Sequence, residues 1–117
     1  MSRLVATALL VLLAGCAPRL TEQQVEGDFR RLMAAEYKAL KLQQVRDVAF
    51  GDGWDDGVEL VVYFDVTCAV RGAAVEGIGQ CADGPMRMEM SYQWSQQGNW
   101  RVLSSELHAD NSPERYP

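Results

Sequence analysis

Apolar residues fall into three patterns along the chain. The first is a block: Leu4, Val5, Ala6, Ala8, Leu9, Leu10, Val11, Leu12 and Leu13, broken only by Thr7. About ten residues are too few to cross a bilayer core of ~30 Å, which takes about 20 helical residues. With Arg3 ahead of it, the block has the length and charge of a signal-peptide core. The second pattern has helical spacing. Val25, Phe29, Leu32, Met33 and Leu40 share a stripe bordered by Tyr37, while Arg30, Arg31, Glu36 and Lys38 take the other side. Ahead of it, Thr21-Glu22-Gln23-Gln24 reads as a capping box, and Leu20 and Val25 are placed as a hydrophobic staple. This predicts a helix over 22–40, with Gly27 its weak point.

The third pattern has period two. Residues 42–50 predict an irregular strand, followed by a turn over 51–57. Val58, Leu60, Val62, Phe64, Val66, Cys68 and Val70 then share one face, with Glu59, Tyr63, Asp65 and Thr67 on the other. A glycine-rich loop over 71–85 leads to Met86, Met88, Met90, Tyr92 and Trp94 on one face of the next strand. Gly98-Asn99 suits a two-residue hairpin turn before a last strand over 100–108. That register sets Trp94 opposite Leu103, Tyr92 opposite Ser105 and Met90 opposite Leu107. It also puts Trp100 and Val102 on the face away from the core, as an exposed apolar spot suited to a partner. A bulge that returns Trp100 to the core is the alternative.

The expected fold is α+β: one N-terminal helix packed on a curved four-stranded antiparallel sheet, in the order α-β-β-β-β. In element order this resembles a cystatin-like or nuclear-transport-factor-like cone. Such folds host pockets, enzymes and interaction modules alike, so the resemblance implies no activity.

Leu13-Ala14-Gly15-Cys16 follows the apolar block. It resembles the lipobox of bacterial prolipoproteins, matched at all four positions. The resemblance implies cleavage before Cys16, lipid on its thiol and acylation of its new amine. Residues 1–15 are then a signal peptide, 16–20 a lipidated tether, 21–108 a single domain and 109–117 a flexible tail. Ala17, rather than Asp, follows the cysteine; in a Gram-negative cell this implies the outer membrane, facing the periplasm. Each buried methylene contributes ~0.8 kcal/mol, so several acyl chains hold firmly where one does not. At about 3.5 Å per residue the tether keeps the domain within roughly 15 Å of its anchor.

Composition changes this picture in two ways. With 48% apolar and 23% charged residues the chain is globular rather than disordered. Residues 16–117 keep ten of the eleven bases and all sixteen acids, a formal charge of −6. Such a domain repels phosphate backbones and anionic headgroups, which excludes nucleic acid as a natural partner. Lipid on Cys16 leaves Cys68 and Cys81, an even pair in an oxidising compartment. A bridge would clamp the long hairpin loop, worth about 3 kcal/mol in the chain-entropy model.

Candidate chemistry is sparse. The acidic turn Asp52, Asp55, Asp56 fails as an EF-hand, because Trp54 and Tyr63 fall where the third and twelfth positions need oxygen ligands. Met86, Met88 and Met90 offer soft thioethers suited to cuprous copper, but alternate apolar residues on a strand are the pattern of a core. His108 has no histidine partner. There is no nucleophile elbow, phosphate-cradling glycine loop or zinc-ligand spacing, and no cofactor is implied. The function expected is a non-catalytic accessory module, held at the membrane by lipid to bind an envelope protein. The alternative is a small-ligand binder or cone-pocket enzyme, with a cavity lined by Phe29, Phe64 and Tyr92.

Overall fold

The computed structural model describes residues 18–110. The expected signal peptide, the expected lipidation site Cys16 and residues 111–117 of the expected tail lie outside the described residues.

Helix α1 (Glu22–Glu36) starts where the capping signal places it. Thr21 is extended, and its Oγ1 accepts the Gln24 N–H at 3.1 Å. The reciprocal half of the capping box is not made, because the Gln24 side chain donates instead to the Trp100 carbonyl, 3.1 Å away. The helix ends at Glu36, short of the expected Leu40. Tyr37 closes it by donating to the Met33 carbonyl, and the Leu40 N–H then turns onto the Tyr37 carbonyl. Leu40 is taken into the sheet opposite Cys68, so tertiary pairing overrides its helical spacing.

Four strands form one antiparallel sheet: β1 (Leu40–Trp54), β2 (Gly57–Cys68), β5 (Gly84–Trp94) and β6 (Trp100–Ala109), side by side in that order. Between β2 and β5 lies a small hairpin of β3 (Ala74–Val75) and β4 (Gly79–Gln80). The α+β architecture is therefore the expected one. β1 absorbs most of the expected turn and leaves only Asp55-Asp56 between Trp54 and its partner Gly57. Its register against β2 slips three times, and each slip breaks the period-two pattern that a straight strand would show. Val70 is the exception to the β2 alternation: it lies past the strand's end and is exposed.

The core lies between α1 and one sheet face. Val25, Phe29, Val62, Phe64, Met88 and Tyr92 have no exposed surface, and the Phe29 and Phe64 rings meet at 4.6 Å. At ~1.5 Å per residue the 15-residue helix spans about 22 Å, whereas at ~3.3 Å per residue the 12-residue β2 spans about 40 Å. One helix cannot cover the sheet. The far end of the core is closed by the β3–β4 flap, which buries Val75 and half-buries Ile78. Cys68 and Cys81 form the expected disulfide across the flap's base, with Cα atoms 6.0 Å apart. Gly77, at φ +93°, runs so close to β6 that a Cβ there would stand 2.7 Å from the Leu107 carbonyl oxygen.

The β5–β6 register corrects the expected one. Gly98 is not a central residue of a two-residue turn; it takes the left-handed position (φ +85°) in a longer loop. Its N–H bonds to the Ser95 carbonyl, and the Ser95 N–H bonds to the Asn99 carbonyl. This is the three-residue hairpin loop, which needs glycine for the same steric reason. Trp94 consequently faces Trp100, Tyr92 faces Val102, Met90 faces Ser105 and Met88 faces Leu107, with a bulge at Leu103. Trp100 and Val102 therefore belong to the helix side of the sheet, not to the opposite face. β6 also continues through Ala109, and Asp110 is buried, so the packed domain passes the expected boundary at 108.

Candidate binding surfaces

Three regions were candidates for binding, and the structure treats each differently. The first is the helix–sheet interior. Phe29, Phe64 and Tyr92, the residues expected to line a cavity, are themselves the filling. The Tyr92 hydroxyl donates to Asp28 Oδ2 at 2.7 Å. Burial, and then this carboxylate, push the Tyr92 phenol well above its usual range, so it stays a neutral donor. Asp28 is also paired with Arg31 on the next helical turn. Met86, Met88 and Met90 are all buried in the same core, with their thioethers packed among apolar neighbours.

The second region is the end of the sheet that holds the helix start and the two tight turns. Trp100 is half-buried; its ring meets Trp94 edge-on at 5.4 Å, and its Nε1–H donates to the Pro18 carbonyl at 2.8 Å. Leu20 is buried in the core. The domain thus begins at Pro18, and only Ala17 separates it from Cys16. Val102 remains 40% exposed and, with Trp100, Asp28, Arg31 and Leu32, lines a shallow groove beside α1. The bulge puts its neighbour Leu103 out at 58% exposure.

The third region is the sheet face away from the helix, which no other layer covers among the described residues. A depression of about 430 Å³ runs across it, with Ala49, Glu59, Val61, Glu89, Ser91 and Ser104 among its lining residues. Beside it the polar residues are organised. Arg46 Nε approaches Asp65 at 3.3 Å, while Arg46 and Arg87 reach the buried Asp110 carboxylate at 3.8 and 3.9 Å. Arg87 also donates to the Ala109 carbonyl. Tyr63, expected on a solvated face with Asp65, is buried. Sequence reasoning placed Asp110 in the tail and missed it; the two arginines isolated on outward strand positions were the available sign.

His108 also gains partners that linear spacing did not show. Its Nε2 lies 3.1 Å from Glu89 and 3.4 Å from Glu106. The two glutamates face each other directly across β5 and β6, an arrangement that costs energy unless a positive group offsets it. The ligating atoms of the three residues all lie within 4.8 Å of one another, so the set has the donors to hold a divalent cation, although both glutamates are exposed. Asp56, in the acidic turn, accepts from the Gln93 side chain and, through its carbonyl, from the Trp94 N–H. No helix among the described residues is long and apolar enough to cross a membrane.

Compared with known proteins, the chain matches no family model, no curated sequence and no solved structure.

Proposed function

We propose that this protein is an exported, lipid-anchored envelope module that acts by binding another envelope protein and carries out no catalysis of its own. The lipobox Leu13-Ala14-Gly15-Cys16 supports the anchor, and an acidic composition argues against nucleic acid. The observation that carries the reading is the contrast between the two sides of the sheet. The side under the helix is filled by side chains with no exposed surface, whereas the other side is open. A ligand between helix and sheet would have to displace Phe29, Phe64 and Tyr92, which costs several kcal/mol of buried apolar contact. A partner on the open face displaces only water.

The open face is also suited to recognition. Val61 and Ala49 supply apolar area, the Ser91–Ser104 pair supplies hydroxyls, and the Arg46–Asp65 ion pair and the Glu89–His108 contact flank them. Charges held in place before binding cost less to order at an interface. The test is photo-crosslinking in native membranes from two exposed positions, Ser104 on the open face and Arg30 on the outer side of α1. A single stoichiometric envelope protein captured from position 104 and not from position 30 is the expected result. No stoichiometric partner from either position would overturn the reading.

A further inference from the structure

The open face leaves unexplained an apolar end. The Asp55-Asp56 turn, the Gln96-Gln97-Gly98 loop, the start of α1 and Pro18 all sit at one end of the sheet. Register fixes this: Gly57 pairs with Gln93, and Gln93 pairs with Arg101. Gln24 and Pro18 are tied to the same place by their bonds to Trp100. All three tryptophans of the chain, Trp54, Trp94 and Trp100, are here. So are most of the large apolar side chains left exposed among the described residues. Trp54 (45%), Leu103 (58%) and Val102 (40%) lie at this end, and Phe50 lies on the same side of the sheet's middle row, whereas Val70 is alone at the other end.

We infer that this end of the domain is seated in the headgroup layer of the membrane, with Trp54 as its main lipid contact. The inference rests on the lipid-anchor reading. Its force comes from where the chain leaves the domain. Only Ala17 stands between Pro18 and the anchoring Cys16, so at about 3.5 Å per residue Pro18, held on β6 by Trp100, stays within roughly 7 Å of the lipidated residue. Trp54, on the opposite edge strand β1, lies about 14 Å across the same end. A protein partner of ordinary thickness does not fit between Pro18 and the anchor; a lipid headgroup layer does. Tryptophan is the residue best suited to this layer, with an apolar ring and a polar N–H. The Trp54 ring packs against Gly57, where a Cβ would stand 2.0 Å from it, while 45% of the residue stays exposed. The ring is thus supported by the protein and still open to its surroundings. Asp52, Asp55 and Asp56 outnumber Arg19 and Arg101 here, so the seat suits zwitterionic rather than anionic headgroups.

The test uses the full lipidated protein reconstituted in phosphatidylcholine vesicles, with and without bromine on the upper acyl chain. Tryptophan emission is expected to drop in the brominated vesicles, and the drop is expected to shrink in Trp54→Phe. Replacing part of the lipid with an anionic one should not deepen the quenching. If the protein floats with the vesicles but bromine leaves its emission unchanged, the seat is wrong and the anchor stands. A drop that is the same in Trp54→Phe overturns Trp54 as the contact. Deeper quenching on anionic lipid overturns the zwitterionic preference. A protein that does not float with the vesicles overturns the anchor and the seat together.

Discussion

The two ends of the sheet are closed by different means. At the end that holds Pro18, closure is made by side chains that bridge distant parts of the chain. Thr21 caps the helix, Gln24 and Pro18 converge on Trp100, Trp100 meets Trp94, and Tyr92 bonds Asp28. At the far end the helix has already stopped, and a covalent bond takes over. Cys68–Cys81 holds a short hairpin over the core, fitted against β6 at a glycine. The difference shows how a small domain with one helix covers a sheet longer than that helix. The helix closes what it can reach, and an oxidised loop closes the remainder. It also separates roles, since the end made of packed and exposed aromatics is the end tied to the membrane in our account.

Substitutions at the two ends should have separable effects. The largest effect is expected from Phe29→Ala, which opens a cavity under the helix where both halves of the core meet; urea denaturation should show a loss of about 4 kcal/mol. Next is Cys68→Ser with Cys81→Ser, which should cost about 3 kcal/mol by the chain-entropy argument. Its local signature matters more than its size. Hydrogen exchange should rise across residues 74–81 while tryptophan emission stays unchanged, because every tryptophan reports on the opposite end. Gly77→Ala acts on the same end, combining a left-handed backbone with a Cβ against the Leu107 carbonyl, and should cost about 2 kcal/mol by thermal melting. The smallest effect is expected at the end that holds Pro18. Thr21→Ala removes one cap bond, for about 1 kcal/mol, and should loosen the first turn of α1 without raising exchange in the flap.

Much of the architecture was legible in the chain. β5 alternates cleanly, and β2 does so apart from Val61 and the buried Tyr63, because both are central strands with one face in the core, and Thr21-x-x-Gln24 marks the helix start. What was hidden depended on contacts between distant residues. The helix end carried no glycine or proline, and Leu40 fits both a helical stripe and a strand. Gly98 serves two-residue and three-residue loops alike, and choosing the wrong one moved Trp100 and Val102 to the wrong face. The same register brings Glu89, Glu106 and His108 together, and no spacing within β6 alone brings Glu89 beside His108. The flap escaped notice because strands of two residues have no period to read.

The proposed lipid on Cys16 sets both the anchor and the orientation of the domain. Its direct test is the intact mass of the protein extracted from membranes of its own cells. The expected mass is that of residues 16–117, lighter by the two hydrogens of the Cys68–Cys81 bond and heavier by a diacylglycerol and an amide-linked acyl chain. A mass that retains residues before Cys16, or that shows Cys16 without lipid, would contradict the anchor and the orientation built on it.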